Sequence, residues 1–343
     1  MSTHRCLVLL ALFGACRADG PKAPIPWRDR SPHAPRMVPI EPGVSLEVLD
    51  WEGTGRPLVL LAGLGNTAHV FDDFAPNLTD SFHVYGITRR GFGRSSGRPP
   101  SDAATLVSDL RIVLDSLGLS RTILVGHSIA GEELTGFGAS YPDRCEALVY
   151  LDAASDRSDT KLSRQLDRLR RPATHRPSMT TSDSASLMAV EAYYARMAAP
   201  LPGAEVRALA RFDSAGRYAG TIGFDSLGGS NIGRLLSHLP RPPYERFKCP
   251  SLAVYAVPDS PAAYFPWYGS LDSGGKADAL RYFQVLVTGL RADRMQYRQH
   301  APSSHVVEIH NASHWLFLSN PDETLNAVRA FLVTTSAAHD VRR

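Results

Sequence analysis

Short, nearly continuous apolar runs recur along the chain, with helical patterns between them. Leu58–Ala62 (LVLLA), His83–Thr88 (HVYGIT), Thr122–Val125 (TILV), Leu148–Asp152 (LVYLD), Leu252–Ala256 (LAVYA) and Val306–His310 (VVEIH) are rich in aliphatic and β-branched residues. Such runs suit strands covered on both faces. Val44–Trp51 alternates like an early strand. Between these lie Asp102–Leu117, with Leu106, Leu110, Val113, Leu114 and Leu117 on one helical face and Gly118 at its end, and Glu132–Ala139; Pro321–Phe331 closes the series. Strand and helix in alternation predict an α/β protein with a doubly wound, mostly parallel sheet.

One region breaks the alternation. Residues 153–248 contain no convincing strand, and helical stretches Lys161–Arg171, Ser186–Ala198, Glu205–Asp213 and Ile232–Leu239 follow one another with Pro and Gly between them. They read as a helical cap inserted between the sixth and seventh strands. The core is then 39–152 together with 249–336.

The N-terminus has a different character. One arginine precedes an apolar run of ten residues, Cys6–Ala15, and small residues follow, the layout of an export signal over residues 1–18. Ten residues are too few to span a bilayer, which takes about 20. Cleavage before Cys16, in FGAC, would leave a lipidated cysteine; cleavage after Ala18 would leave a plain secreted or periplasmic protein. Contact with a membrane is expected only through that anchor. Prolines at 21, 24, 26, 32 and 35 make 19–38 an extended linker. Charged residues are 21% of the chain and the net charge is +3, too little to imply a nucleic-acid partner. Cys145 and Cys249 lie at matching distances before the ends of two strands. Parallel neighbouring strands would bring their sulfurs to one level, as a disulfide or as two buried thiols.

The chemistry centres on VGHSIAGEE, Val125–Glu133, which directly follows a strand and directly precedes a helix. A serine on so tight a strand-to-helix turn is lifted above the sheet, provided its neighbours are small. Gly126 meets that demand two residues before Ser128. Ala130 adds one methyl two residues after it, and Gly131 can still admit close approach of helix and strand. A serine nucleophile needs a histidine base, and the base needs an acid. His314 lies in NASHW, four residues past VVEIH, and Asp259 lies three past LAVYA, with Asp152 as the reserve acid. His305 and His310 are worse placed for the base. Oxyanion donors are expected at the Ile129 N–H and, from LLAGLGN, the Leu64 N–H. Glu132 and Glu133 open the following helix, where acids suit the helix dipole; the other reading has them at the substrate or holding a neighbouring loop.

From Val44 to Val333 the chain resembles the α/β-hydrolase superfamily, in the group with a helical cap. The resemblance rests on LVLLAGLG, RRGFGRSSG (Arg89–Gly97), GHSIAG followed by YPDRCEALVYLDAA, PSLAVYAVPD and NASHWLFLSNP. It implies a nucleophile at Ser128, an acid at Asp259, a base at His314 and oxyanion donors at Leu64 and Ile129. Two departures stand out. Ala62–Gly63 replaces the usual His-Gly, removing a side chain that commonly braces the oxyanion loop, and Thr88 or Arg89 replaces the usual aspartate before the R-G-x-G-x-S turn.

The expected activity is hydrolysis of a small-molecule ester, or a related activated acyl compound, through an acyl-enzyme. No cofactor and no metal are expected: the cysteines lack a zinc spacing, and no G-x-G-x-x-G follows a strand at the right place. The same fold could instead support acyl transfer, aminopeptidase-like amide cleavage or carbon–carbon hydrolysis, or serve a catalytically silent binding protein. Tyr193, Tyr194, Phe265, Trp267 and Tyr268 are candidates to line a pocket for a fairly apolar group.

Overall fold

The computed structural model describes residues 27–169, 176–222, 229–301 and 304–340. The leader, with Cys16, and the first eight residues of the linker lie outside the described residues. So do the last two residues of the helix expected over Lys161–Arg171.

Eight strands form one sheet: β1 (Ala34–Glu41), β2 (Val44–Asp50), β3 (Arg56–Leu61), β4 (Phe82–Ile87), β5 (Thr122–His127), β6 (Cys145–Leu151), β9 (Ser251–Val257) and β10 (Ser304–His310). Their order is β1-β2-β4-β3-β5-β6-β9-β10. From β4 to β10 every neighbouring pair is parallel, while β1–β2 and β2–β4 are antiparallel. Each predicted run falls on a strand of this sheet. Leu58, Leu60, Val125 and Val149 face one apolar layer, and Val59, Leu61, Leu124, Leu148 and Tyr150 face the other. Apolar residues on both faces are why the runs are continuous rather than alternating.

The linker ends earlier than the prolines imply. β1 begins at Ala34 and takes in Pro35 and Pro39. It is an edge strand, paired only with β2, so a missing N–H can face away from the ladder.

Helices α1 (Ala103–Ser116), α2 (Ala130–Ser140) and α10 (Pro321–Asp340) occupy the expected positions. The Asp102 side chain caps α1 by accepting from Thr105 N at 2.8 Å. A helix of 28 residues, α8 (Ser273–His300), precedes β10. Between β6 and β9 come α3 (Lys161–Asp167), α4 (Leu187–Met197), α5 (Gly203–Leu209), a two-stranded hairpin of β7 (Ala210–Phe212) and β8 (Tyr218–Thr221), and α6 (Gly229–Ser237). The segment between β6 and β9, expected to be helical, is not wholly so. The helix expected over Glu205–Asp213 stops at Leu209 and the chain turns back as a hairpin, with Asp213 accepting from the Ala215 and Arg217 amides of its turn.

Cys145 and Cys249 stand as two buried thiols with sulfurs 3.1 Å apart. The strand levels did bring them together.

Candidate active site

β5 ends at His127 and α2 starts at Ala130, leaving Ser128 and Ile129 to make the turn. Ser128 has φ +57°, a left-handed conformation that costs a non-glycine residue about 1–3 kcal/mol. The small neighbours are explained by what surrounds them. A Cβ on Gly126 would meet Leu134 Cδ1 at 2.6 Å, and one on Gly131 would meet the Ala153 carbonyl oxygen at 2.1 Å. Ala130, by contrast, is fully buried in the apolar layer with its methyl accommodated. The glycine that the turn requires is Gly131.

The acid is the main departure from the sequence reading. His314 Nδ1 lies 2.6 Å from Asp152 Oδ2, whereas Asp259 Oδ1 lies 2.7 Å from Nδ1 of His310. The physical reason is sheet order. β6 is the immediate neighbour of β5, Leu151 is level with His127, and Ser128 N donates to Leu151 O at 3.2 Å. The residue after Leu151 therefore sits beside the elbow. Asp152 is held there by φ +48°, by its amide donating to Val254 O and by its Oδ1 accepting from Ala256 N. Asp259 lies two residues past the end of β9, one strand further out, and its pair with His310 is open to solvent, at 43% and 61% side-chain exposure. His310 is thus turned outward at the end of the edge strand β10, not committed to the sheet interior.

His314 occupies the loop between β10 and α9 (Leu316–Ser319). Two contacts fix that loop. His127 Nε2–H donates to the His314 carbonyl at 2.9 Å, and Trp315 Nε1 donates to Asn66 Oδ1 at 3.1 Å. Burial, then the neighbouring His314, holds the His127 imidazole well below its ordinary pKa, so it is neutral. Its ring packs 4.6 Å from the His314 ring. Ser128 Oγ makes no hydrogen bond to His314 among the described residues, a link that commonly tightens only when substrate is present.

The loop after β3 runs beside the elbow. A Cβ on Gly63 would come within 2.7 Å of His127 Nδ1 and 3.3 Å of Ser128 Cβ, so only glycine lets the two segments touch. The amides of Leu64 and Ile129, the two expected oxyanion donors, donate to no backbone acceptor among the described residues. Ala62 does lack the usual bracing side chain, but Arg89 supplies the brace. Its Nη2 donates to Ala62 O at 2.9 Å, its Nη1 to Gly63 O at 3.4 Å, and its Nε and Nη2 reach Glu133 at 3.3 and 2.5 Å. Burial raises the Glu133 carboxyl and the guanidinium counters that shift. Glu132 pairs with Arg157 at 3.2 Å, and Arg157 donates to Ser128 O at 3.0 Å and to Ala153 O at 3.3 Å. Both acids at the head of α2 therefore hold arginines that brace the backbone around Ser128, in keeping with the loop-holding reading. Arg157 gave no signal in the sequence because its contacts, the Glu132 carboxylate and two backbone carbonyls, are brought to it only by the fold.

Glu205, at the start of α5, ties the insertion to the same loop. It accepts from Asn66 Nδ2 at 2.7 Å, from Thr67 N at 3.2 Å and from Thr67 Oγ1. Burial pushes its carboxyl up to about 7, against the lowering effect of the Thr67 and Asn66 hydrogen bonds and of His69. An unfolded chain has this group near about 4.3. Between those values the folded state binds more protons than the unfolded, so this group makes stability fall as pH rises toward 7. Thermal melts from about pH 5 to about pH 8 should show that decline in the wild type and a flatter profile in Glu205→Gln. Parallel profiles would remove Glu205 as the cause.

A cavity of about 570 Å³ opens on Asp152 and His314. Its wall includes Phe265, Trp267, Tyr282 and Leu286, with Met197 contributed by the insertion. Arg176 adds a cation to this wall, its guanidinium lying 5.4 Å from the Tyr193 ring and 5.9 Å from that of Trp267. Of the aromatics expected at the pocket, Phe265 and Trp267 line it. Tyr193 packs behind Arg176, and neither Tyr194 nor Tyr268 reaches the cavity.

Comparison with known proteins agrees with this fold. Residues 56–210 match the family described as the alpha/beta hydrolase fold. A Caulobacter segnis protein named as a carbamate hydrolase is 33% identical over 129 residues, 36% of this chain and 48% of that one. The matches to the first curated relatives each span less than half of the relative's length. Among solved structures, E-2-(acetamidomethylene)succinate hydrolase superposes with a TM-score of 0.59 at 20% identity, covering 88% of this chain and 99% of that one. The carboxylesterase CesB of Bacillus subtilis gives 0.52 at 15% identity, covering 90% and 93%. The chain has the α/β-hydrolase fold, and its solved structural neighbours include serine hydrolases and esterases.

Proposed function

We propose that the protein is a serine hydrolase that cleaves a carboxylic ester, or a similarly activated acyl compound, through an acyl-enzyme. The observation that carries this reading is the 2.6 Å contact between His314 Nδ1 and Asp152, beside a serine held at φ +57°. With Nδ1–H directed at Asp152, the Nε2 lone pair of His314 is the one available to take the Ser128 proton. Ser128 Oγ then attacks the carbonyl carbon. The amides of Leu64 and Ile129 receive the oxyanion, and the imidazolium, stabilised by Asp152, gives its proton to the leaving alcohol. Water repeats the sequence on the acyl-enzyme and releases the acid.

The apolar cavity wall supports a small to medium acyl or alkyl group, with Arg176 as a polar contact. Action at the cell envelope, secreted or anchored through Cys16, is part of this proposal and rests on the leader-like N-terminus. A fluorophosphonate probe should label Ser128, located by peptide mass spectrometry, and a panel of chromogenic esters should show a clear optimum in acyl length. An unlabelled Ser128 together with no ester turnover would overturn the reading. Ester formation from an added alcohol in preference to free acid would make the enzyme a transferase.

A further inference from the structure

Away from the active site, three metal-ligating side chains converge where the start of β1 meets the turn after β3. His33 immediately precedes β1; His69 lies on the 3-10 turn Ala68–Phe71 and Asp72 closes that turn, so the last two share one face. Their side chains are shielded, with exposures of 5% for His33, 13% for His69 and 5% for Asp72. His69 Nδ1 lies 3.1 Å from Asp72 Oδ2, His33 Nε2 lies 3.4 Å from Asp72 Oδ1, and all the donor atoms fall within 4.8 Å of one another. The imidazole rings sit 5.1 Å apart, and His33 packs edge-on against Trp51 at 5.3 Å, which restricts its orientation.

Asp72 Oδ1 supplies the second observation. It is sealed from solvent and accepts no hydrogen bond among the described residues, although an imidazole nitrogen stands 3.4 Å away. A buried carboxylate oxygen left without a hydrogen bond is costly. A shared cation would satisfy it. Zinc bonds of about 2.0–2.1 Å in a tetrahedron put neighbouring donors about 3.3 Å apart, close to the two observed edges.

We propose that His33, His69 and Asp72 form a structural zinc site that clips the start of β1 to the turn following the oxyanion loop. Two imidazoles and a carboxylate suit Zn²⁺ over Mg²⁺ or Ca²⁺, which take oxygen-rich sets. The three residues are absent from the wall of the 570 Å³ cavity, so the role is to hold the fold and not to activate substrate. Thr67, two residues before His69, is gripped by Glu205, and a clip here would steady the same segment from its other end.

The full chain, stripped with a chelator, should bind one equivalent of Co²⁺ with the intense visible absorption of a tetrahedral site, and Zn²⁺ should displace it. His33→Gln and His69→Gln should each weaken Zn²⁺ binding by about 10–100-fold or more. His310→Ala, which alters the exposed His–Asp pair, and His314→Asn, at the candidate base, should leave it unchanged. Zinc should raise the melting temperature of the wild type and not that of the His69→Gln protein. Should either variant fold poorly, X-ray absorption on the zinc-loaded wild type decides, by showing two nitrogen donors and at least one carboxylate oxygen. Loss of binding in His314→Asn, unchanged binding in both His→Gln variants, or no stoichiometric cobalt or zinc uptake by the wild type would each overturn the site. None of these readouts depends on the hydrolase activity.

Discussion

Asp152→Asn should lower kcat/KM toward a chromogenic ester by about 10⁴-fold. The contrasting variant Asp259→Asn should change it by no more than about twofold, since an exposed ion pair contributes little. Asparagine keeps the size of the side chain at 152 but can present an N–H to His314 Nδ1, which forces the proton onto Nε2. The imidazole then has no lone pair for the serine proton. The backbone contacts of residue 152 with β9 survive, so folding should be little affected, and circular dichroism checks this. Initial rates across substrate concentration should show the loss mainly in kcat, because the tautomer matters to the chemical step and not to the cavity wall. A large loss in Asp259→Asn with near-normal Asp152→Asn would return the acid to the strand where the family pattern puts it.

Arg89→Met should be the most destabilising single change around the site. It removes the partner of Glu133, whose side chain is only 6% exposed, and breaking a buried pair from one side costs about 3–5 kcal/mol. Replacing both partners, as Arg89→Met with Glu133→Leu, should restore most of that stability, because no charge is left stranded. It should not restore the rate. Arg89 also anchors the Ala62 and Gly63 carbonyls, and a loop that drifts weakens the donor at Leu64; losing one oxyanion donor outright costs about 10²–10³-fold in kcat. Denaturant melts and ester kinetics on the single and double variants check both halves. A double variant that recovers stability and rate together would make Arg89 a packing residue only.

The sheet was legible because strands buried on both faces leave uninterrupted apolar runs, and six such runs fall on its six parallel strands. The elbow was legible because strand, serine and helix arrive in consecutive residues. What escaped notice has a common physical origin. Asp152 and Asp259 both follow strands, and only the lateral order of β5, β6 and β9 makes one of them a neighbour of Ser128; that order is not written along the chain. The missing histidine at position 62 was visible, but its replacement was not, since Arg89 acts through backbone carbonyls contributed by a loop 26 residues away. The hairpin after α5 was hidden by three residues on one side and four on the other, too few for a period-two pattern to show. Pro35 and Pro39 pointed away from a strand because an edge position cannot be recognised before the sheet is assembled.

Gly131 bears on how such enzymes are recognised. The residue that must be glycine is set by where the carbonyl of Ala153 lies against α2, 2.1 Å from any Cβ at that point, not by a fixed count from the nucleophile. A search pattern with glycine two residues past the serine would discard this chain, although its turn is built as tightly as the pattern intends. The invariant worth encoding is a clearance between the first turn of the helix and the neighbouring strand end, and it can be met from more than one position in the sequence.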